Sequence, residues 1–239
     1  MSTLWSSPGV ARVAEYCLRL TGLSSIERRV TETEAAIRRA MSQGGLGSPE
    51  EYLHHIQEDP GRIDHLVDEI VVGETYFFRE PETLEFLLHK ALPAVSASRD
   101  PGHVLNLWSA GCATGEEPYT LAILLDESEW RGRFRILATD ISRSALARAR
   151  GAEYSTWALR ATSPEMTRRY FEQIGLRRYA LAARYRKLVE FRFHNLAADS
   201  FPDLAAGVSG IDIILCRNVL MYFPREVTDR TAGNFFRAL

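Results

Sequence analysis

The sequence has few cysteines, no long apolar run and no leader pattern at its start. Its three cysteines, Cys17, Cys112 and Cys216, lie far apart and form no C-x-x-C pair, which disfavours a disulfide framework and favours a reducing compartment. No segment approaches the roughly 18 consecutive apolar residues of a membrane-spanning helix. The opening residues, MSTLWSSPGV, lack the basic segment followed by an apolar one that marks a secretory signal. From these absences we predict a cytoplasmic protein that does not insert into a membrane.

Several patterns that mark catalytic or metal sites are also missing. The six histidines include no H-x-x-x-H spacing, so the sequence predicts no metal site. It contains neither a G-x-S-x-G nucleophile motif nor a P-loop. The 29 basic and 31 acidic residues give a formal net charge of −2, which disfavours nucleic acid as a partner. The hydrophobic content of 46% is enough for a sizeable core in a chain of 239 residues.

The stretch VLNLWSAGCATGEEPYTLAILL, residues 104–125, is the most informative part of the sequence. It predicts a buried strand, a loop of small residues and a helix that begins near Glu116. Thr114 and Glu117 have the spacing of a capping box, so we expect Thr114 to cap this helix. Pro118 fits the first turn, where a missing N–H costs little. A strand, a glycine-bearing loop and a helix form the ligand cradle of open α/β sheets, although the same order also occurs as a plain structural turn.

The first turn of this helix also indicates the kind of ligand. Dinucleotide sites place a pyrophosphate at a helix N-terminus, but Glu116 and Glu117 would repel a phosphate there. A ligand that offers hydroxyls or positive charge fits better, and S-adenosylmethionine offers ribose hydroxyls and a sulfonium. The sequence therefore favours a nucleoside-type ligand and disfavours a nicotinamide-dependent oxidoreductase.

The chain divides into a helical part, residues 1–98, and an alternating part, residues 99–239. We predict four short helices and a linker helix in the first part, over Ala11–Leu20, Ser24–Met41, from Ser48 to Asp59, Arg62–Val72 and Pro81–Ala97. The second part alternates strands and helices, which predicts an α/β fold with a parallel sheet. Residues 152–187 interrupt this alternation and are predicted to form an inserted subdomain. A doubly wound sheet would need more strands than the sequence offers, so we expect a truncation at the C-terminus.

Polar residues follow the predicted strands at the edge where a ligand would bind. The strands are predicted over Val104–Trp108, Phe134–Thr139, Leu188–Phe193 and Ile211–Cys216. Asp140 follows the second and would accept hydrogen bonds from ribose hydroxyls, with an N-cap for the helix near Ser142 as the alternative. Asn195 and Asn218 follow the last two strands, where an amide can bind a base edge or a carboxylate. Each asparagine alone would more often be a turn residue, but together with Asp140 and the loop they indicate a binding site.

Three further features are candidates for binding. Arg79 lies between the two parts of the chain, where it would hold a carboxylate or form a salt bridge between the parts. Tyr222 follows Asn218 by four residues and is either a substrate contact or a core tyrosine. Arginines in the second predicted helix form a basic stripe that would dock an acidic partner, or else a solvated face balanced by nearby glutamates. We expect them to share one helix face; they are Arg28, Arg29, Arg38 and Arg39.

Five ordered motifs together resemble the CheR-type chemotaxis receptor methyltransferases. They are GETYFFRE (73–80), WSAGCATGEEPYTLAI (108–123), LATDIS (137–142), FHNLA (193–197) and ILCRNVLMYF (214–223). The resemblance implies a small N-terminal helical bundle and a Rossmann-like class I methyltransferase domain with an inserted antiparallel subdomain. It implies transfer of a methyl group from S-adenosylmethionine, leaving S-adenosylhomocysteine, to glutamate side chains on the cytoplasmic helices of chemoreceptors. A non-catalytic protein that binds the same cofactor as a signal would carry nearly the same motifs.

The resemblance also implies residue roles. Arg79 and Tyr222 would be catalytic residues beside the reacting methyl group. Residues that would bind the cofactor are Thr75, Arg79, Gly111, Glu116, Asp140, Asn195, Leu196, Asn218 and Val219, with Glu116 at the amino-acid end and Asp140 at the ribose. Asn195 and Leu196 would contact the adenine. Gly73 departs from the family, in which an asparagine is common at this position, and the insertion lacks a glycine-rich turn. We expect the protein to be a monomer.

Overall fold

The computed structural model describes residues 5–70, 74–204 and 207–239, and for residues 60 and 61 the backbone alone. Gly73 and the last two residues of the helix predicted over Arg62–Val72 lie outside the described residues. The first part of the chain is helical, as predicted. Its helices are α1 (Pro8–Thr21), α2 (Ser25–Arg28), α3 (Val30–Gln43), α4 (Pro49–Glu58), a 3-10 turn (Pro60–Ile63), α5 (Asp64–Ile70), α6 (Pro81–Phe86) and α7 (Leu92–Ala97).

Two helix boundaries predicted from local sequence are confirmed by their caps. Gly22 ends α1 in the left-handed conformation, with φ of 69°. Ser48 begins α4 through a complete capping box: its hydroxyl accepts from the N–H of Glu51, and the Glu51 carboxylate accepts from the N–H of Ser48. Both signals act within four residues, and the sequence alone is therefore enough to locate them.

The prediction of one helix over Ser24–Met41 is wrong, because the chain leaves helical geometry at Arg29. This residue has φ of −121° and ψ of 57° and separates α2 from α3. In a continuous helix the carbonyl of Ile26 would accept from the N–H of Val30. Here it accepts from the hydroxyl of Thr33 at 3.1 Å, and the Ile26 side chain is fully buried. The hydrogen bond from the Thr33 hydroxyl therefore replaces the missing helical bond to the Ile26 carbonyl, and the buried Ile26 side chain adds hydrophobic stabilisation.

The helix predicted over Pro81–Ala97 is present with one irregularity. A π-helical turn, Leu87–Ala91, separates α6 from α7. Pro93 follows directly and has no N–H to offer the carbonyl of His89. The wider turn therefore lies where the proline would crowd a regular α-helix.

The second part of the chain forms the predicted α/β layer around a parallel sheet. Its elements are β1 (Leu105–Ala110), α8 (Glu116–Asp126), β2 (Phe134–Asp140), α9 (Arg143–Gly151), β3 (Glu153–Ser155), α10 (Pro164–Tyr170), β4 (Phe171–Gly175), β5 (Arg178–Leu181), α11 (Ala183–Arg186), β6 (Val189–Phe193), β7 (Ile213–Leu215), a 3-10 turn (Leu220–Tyr222) and α12 (Arg225–Ala238). The main sheet has the order β6-β2-β1-β7, and all three strand pairs are parallel. The carboxyl ends of these strands therefore meet at one edge.

The predicted inserted subdomain is confirmed as a separate antiparallel sheet of order β3-β5-β4. Glu127, just after α8, attaches it to the parallel layer. Its carboxylate accepts from the hydroxyl of Tyr185 and from Arg184, both at 2.9 Å, and also from Arg169. These partners come from α10 and α11, so one carboxylate binds two helices of the insertion.

The helical part and the parallel sheet share one hydrophobic core. Val13, Ile37 and Leu66 of the first part belong to the same buried cluster as Trp108 of β1 and Phe201. The rings of Trp108 and Phe201 pack edge to face with centroids 5.4 Å apart. The domain boundary at residue 98 stays a prediction, and the two parts pack against each other through side chains of both.

Asp212 joins the segment after α7 to the start of β7. Its side chain is 1% exposed and pairs with Arg99 at 2.8 Å and with His103 at 2.8 Å, and it accepts from the N–H of Asn106 at 2.9 Å. Burial acts to raise the pKa of this carboxyl, but the Asn106 N–H, His103 and Arg99 together hold the pKa below its usual value. The ionised form is therefore favoured in the folded protein.

We expect Asp212→Asn to lower the free energy of unfolding at pH 7 by about 3 kcal/mol, because Arg99 and the buried polar groups lose their partner. Since the folded pKa is lowered, the stabilisation by Asp212 is present at neutral pH and is lost as the pH falls through that pKa. Urea denaturation at a series of pH values measures both effects. Equal unfolding free energies of the two proteins at pH 7 would contradict the assignment.

Candidate active site

One cleft lies at the carboxyl ends of the parallel strands and gathers most of the predicted site residues. It contains about 1020 Å³ of empty space, counted with its open mouth. The predicted residues that line it are Thr75, Arg79, Gly111, Asp140, Asn195, Leu196, Asn218, Val219 and Tyr222. Among the predicted site residues, Glu116 is the exception, because its carboxylate is buried and does not line the cleft. Residues more than a hundred positions apart in the sequence thus meet in one place.

Gly111 permits the close approach of two loops at the floor of this cleft. It follows β1 with φ of 84°, and its N–H donates to the carbonyl of Thr139 at 2.8 Å. A Cβ at this position would lie 2.4 Å from a methyl carbon of Val219. Glycine is therefore required twice, by the left-handed backbone and by the contact with the β7 loop.

We expect Gly111→Ala to weaken the binding of S-adenosylhomocysteine at least tenfold, because the added methyl displaces Val219 from the cleft wall, and to cost about 1–3 kcal/mol of stability. Gly132→Ala is a matched control: Gly132 has φ of 74°, yet an added Cβ would meet no atom within 4 Å. Calorimetric titration of both variants separates backbone strain from crowding. Equal loss of affinity in the two variants would contradict the role of the Val219 contact.

The capping box predicted for Thr114 and Glu117 is wrong. Gly115 takes the N-cap position of α8 with φ of 92°, so the predicted spacing is out of register by one residue. The Thr114 hydroxyl instead donates to the Glu116 carboxylate at 2.7 Å, and the Glu117 carboxylate accepts from the Ser109 hydroxyl at 2.7 Å. Pro118 lies in the first turn of α8, as predicted.

Three carboxylates lie at this end of the sheet: Glu116 and Asp140 are buried, and the Glu117 side chain is 16% exposed. Burial raises the pKa of Glu116, of Glu117 and of Asp140, although hydrogen bonds to each of them act in the opposite direction. In the ionised form each of these carboxylates repels a phosphate and is stabilised by a cation, and Glu117 already pairs with Arg217 at 3.1 Å. The site therefore selects for a ligand with positive charge or with hydroxyl groups.

Asp140 is fixed by two backbone donors at the end of β2. Its two carboxylate oxygens accept from the N–H of Ser142 and the N–H of Ala113, each at 2.8 Å. The alternative role as a helix cap is wrong, because Ser142 caps α9 by accepting from the N–H of Ala145. A carboxylate has about four lone-pair sites, so acceptor capacity remains for the hydroxyl groups of a ligand.

Asn195 has the contacts of a turn residue in this structure. Its amide donates to the carbonyl of Leu20 at 2.7 Å and accepts from the N–H groups of Ala197 and Ala198. It therefore fastens the end of α1 to the loop after β6. The contact of Asn195 and Leu196 with an adenine stays a prediction, and it would use the backbone and apolar surface of this turn.

Left-handed backbone conformations cluster around the cleft. Five described residues other than glycine have positive φ, and four of them, Phe78, Glu80, Ala113 and Asn218, lie in the loops that form the cleft. Each such residue costs about 1–3 kcal/mol and persists only where the surroundings fix it. The loops of the cleft are thus held in place by their neighbours.

Arg79 and Tyr222 lie on the cleft wall. The Arg79 guanidinium donates to the carbonyl of Glu74 at 2.6 Å and lies 3.7 Å from the carboxylate of Glu80. Since both partners belong to the same loop, the alternative of a salt bridge between the two parts of the chain is wrong. Tyr222 is half-buried, and its carbonyl accepts from both the N–H and the hydroxyl of Ser24.

Several residues that line the cleft were not predicted as site residues, among them Arg217, Thr21 and Leu23. Arg217 lies two residues after the end of β7 and bonds to Glu117 and Glu80, and its only local signal was its place between an apolar run and Asn218. Thr21 and Leu23, at the turn after α1, also line the cleft. Nothing in their local sequence indicates a binding role.

The four arginines proposed to dock a partner are all exposed, but they do not share one helix. Arg28 ends α2, and the break at Arg29 separates it from Arg38 and Arg39 in α3. The prediction of a common helix face three turns long is therefore wrong. Arg39 pairs with Glu69 at 2.7 Å, and Arg38 donates to the hydroxyl of Ser6 at 3.1 Å.

The described residues contain no group of three or more histidine, cysteine, aspartate or glutamate side chains that could hold a metal ion. None of the helices in the described ranges is both long and apolar enough to cross a bilayer.

The chain is similar to known methyltransferases. The family model "CheR methyltransferase, SAM binding domain" matches residues 73–239. Chemotaxis protein methyltransferase 1 of Pseudomonas aeruginosa is 37% identical over 199 residues, covering 80% of this chain and 70% of that protein. The chemotaxis protein methyltransferase of Borreliella burgdorferi is 31% identical over 234 residues, covering 95% and 81%. The probable biofilm formation methyltransferase WspC of Pseudomonas aeruginosa is 35% identical over 196 residues, covering 80% and 44%.

Proposed function

The chain belongs to the CheR methyltransferase family, and we propose that it methylates glutamate side chains of chemoreceptors in chemotaxis or a related chemosensory pathway. Residues 73–239 match the part of that family that binds S-adenosylmethionine. The observation that supports the proposal most strongly is the cleft, in which nine of the ten predicted site residues line one wall or another. The cytoplasmic location and the monomeric state are part of the same proposal.

The cleft suits S-adenosylmethionine better than a dinucleotide. This cofactor supplies a methyl group on a positively charged sulfur, and the largely buried carboxylates favour a cation. Asp140 would hold the ribose hydroxyls through its remaining acceptor capacity. Asn218 and Val219 would line the methionine end, together with Gly111. Glu116 lies behind the wall and would act on the ammonium group through its negative charge.

The residues of the cleft fit a reaction that needs no base. A glutamate carboxylate has a reference pKa of about 4.3 and is already ionised at neutral pH. Burial raises the pKa of Cys112 and keeps its thiol protonated, and burial lowers the pKa of His194, which packs against Trp108 and Phe201. Neither side chain is needed as a base. Orientation is what remains for the protein to supply, and Arg79 and Tyr222 would orient the acceptor.

Methyl transfer from radiolabelled S-adenosylmethionine to purified chemoreceptor cytoplasmic fragments tests the proposal. We expect label that is released as methanol in alkali, because a carboxyl methyl ester hydrolyses there. Fragments whose acceptor glutamates are replaced by glutamine serve as the control and should remain unlabelled. Cofactor binding without transfer to any fragment would contradict the enzymatic function and would favour a non-catalytic cofactor-binding regulator.

The exposed arginines of α2 and α3 are proposed to dock the acidic surface of a receptor helix. Because the two helices are separate, the contact would involve a surface formed by both. Arg28→Glu combined with Arg38→Glu is expected to raise the KM for a receptor fragment about tenfold, with kcat nearly unchanged, because rim charges act mainly on encounter. Arg225→Glu on α12 combined with Arg131→Glu, two exposed arginines away from this surface, is the charge-matched control. An unchanged KM would contradict this docking surface.

A further inference from the structure

Arg217 connects three separate segments of the cleft. Its guanidinium bonds to the Glu117 carboxylate at 3.1 Å, to the Glu80 carboxylate at 3.0 Å and to the carbonyl of Arg79 at 2.7 Å. Its side chain is 14% exposed, and no hydrogen-bond partner contacts the buried Nε. The two terminal nitrogens therefore make all of its polar contacts. They join the loop after β7 and the start of α8 to the Glu74–Glu80 loop.

The Glu74–Glu80 loop has a strained backbone that its neighbours must hold in place. Phe78 and Glu80 both have left-handed backbone conformations, with φ of 58° and 56°, and Arg79 lies between them. Backbone N–H groups hold this loop at two points: the N–H of Phe77 donates to the carbonyl of Ala158, and the N–H of Phe78 donates to the hydroxyl of Thr120. Arg160 also pairs with the Glu74 carboxylate at 3.1 Å. None of these three bonds contacts Arg79 itself. Arg217 binds the carbonyl of Arg79 and the carboxylate of Glu80, the next residue.

Glu80 links the two guanidiniums of the site. One of its carboxylate oxygens lies 3.7 Å from Arg79, and the other lies 3.0 Å from Arg217. Arg79 and Arg217 both line the cleft, whereas Glu80 between them does not. Glu80 and the carbonyl of Glu74 therefore fix the direction of the Arg79 guanidinium at the cleft wall.

We propose that Arg217 is a positioning residue for methyl transfer: by binding Glu117, Glu80 and the Arg79 carbonyl together, it holds the strained loop so that Arg79 faces the acceptor carboxylate. This inference rests on the proposed function. A planar guanidinium with several N–H donors can bind all three acceptors at once, whereas a lysine ammonium is a compact charge on a flexible stem. Arginine is therefore required at this position for its shape as well as its charge.

Two variants test this role by breaking the bridge from opposite sides. Arg217→Lys keeps the positive charge beside the largely buried Glu117 but cannot reach all three acceptors. Glu80→Gln removes a half-exposed carboxylate, which leaves no charge buried without a partner. Arg99→Lys is the matched control, because Arg99 also binds a buried carboxylate but lies outside the cleft. Each variant is assayed for kcat, for the Kd of S-adenosylhomocysteine and for amide hydrogen exchange in the peptide that contains Glu74–Glu80.

We expect both cleft variants to lower kcat, Arg217→Lys by about 10- to 100-fold, since misplacement of an orienting group by about 1 Å has effects of this size. The Kd should change less than about threefold, and exchange in the Glu74–Glu80 peptide should become faster. Arg99→Lys should leave kcat and that peptide unchanged. Unchanged exchange in Arg217→Lys, unchanged kcat, or a loss of cofactor affinity as large as the loss in kcat would overturn the proposal.

The exchange measurement separates this inference from the proposed function. If the wild-type chain transfers no methyl group to any chemoreceptor fragment, the proposed function fails, whatever the exchange data show. If the wild type is active and Arg217→Lys exchanges like the wild type in the Glu74–Glu80 peptide, the role of Arg217 fails alone.

Discussion

Arg79→Ala is expected to lower kcat for methyl transfer about 100- to 1000-fold while S-adenosylhomocysteine binds within about threefold of the wild-type affinity. The guanidinium lies on the cleft wall with 24% of its side chain exposed, so it can bind an acceptor carboxylate without first breaking a buried pair. A bidentate contact of this kind orients both carboxylate oxygens. Alanine removes that orientation and leaves the acceptor free to rotate beside the methyl donor.

Two further variants sharpen this prediction. Arg79→Lys keeps the charge but not the planar fork, and it should recover only part of the lost rate. Arg131→Ala removes an exposed arginine that pairs with Asp126 at 3.5 Å, outside the cleft, and it should leave kcat unchanged. Single-turnover assays with saturating cofactor measure the chemical step directly. A turnover rate for Arg79→Ala equal to that of the wild type would remove Arg79 from the reaction.

Asp140→Ala is expected to weaken cofactor affinity about 30- to 100-fold, since hydrogen bonds to a charged group contribute about 1.5–3 kcal/mol and each 1.4 kcal/mol is tenfold. The variant loses the acceptor for the ribose hydroxyls. It also leaves the N–H groups of Ala113 and Ser142 without their partner, which loosens the loop after β1. At saturating cofactor kcat should recover, because Asp140 is assigned to binding and not to the acceptor.

Isothermal calorimetry with S-adenosylhomocysteine measures the Asp140 effect. Asp229→Ala is a suitable control, because Asp229 is an exposed aspartate of α12 that pairs only loosely with Arg225, at 3.6 Å. An affinity of Asp140→Ala within experimental error of the wild type would show that the ribose assignment is wrong. Together the Arg79 and Asp140 variants should separate loss of rate from loss of binding.

The order of helices and strands could be predicted from the sequence because it depends on short-range patterns. The capping box of Ser48 and Glu51, the left-handed stop at Gly22 and the apolar runs that become strands each act within a few residues. The alternation of strands and helices then implied a parallel sheet, and the sheet placed Asp140 and Asn218 at one edge.

Errors occurred where a nearby side chain or a left-handed glycine outweighed the pattern of residue spacing. Ser24–Met41 has good helical periodicity, yet the Thr33 hydroxyl takes the Ile26 carbonyl and the helix divides. Thr114 has the spacing of a cap, yet the left-handed Gly115 occupies that position instead. In both places the local pattern was present, but the Thr33 hydrogen bond and the left-handed backbone of Gly115 set the helix boundaries.

By itself, the sequence determined the α/β class, the inserted subdomain, the family and nine of the residues that line the cleft, because periodicity, caps and ordered motifs are properties of neighbouring residues. The tertiary structure alone decided which side chains hold the cleft together. Arg217 reaches Glu117 across a hundred positions and Asn195 reaches Leu20 across 175. Such contacts depend on how the helical part and the sheet pack into one core, which no local pattern encodes.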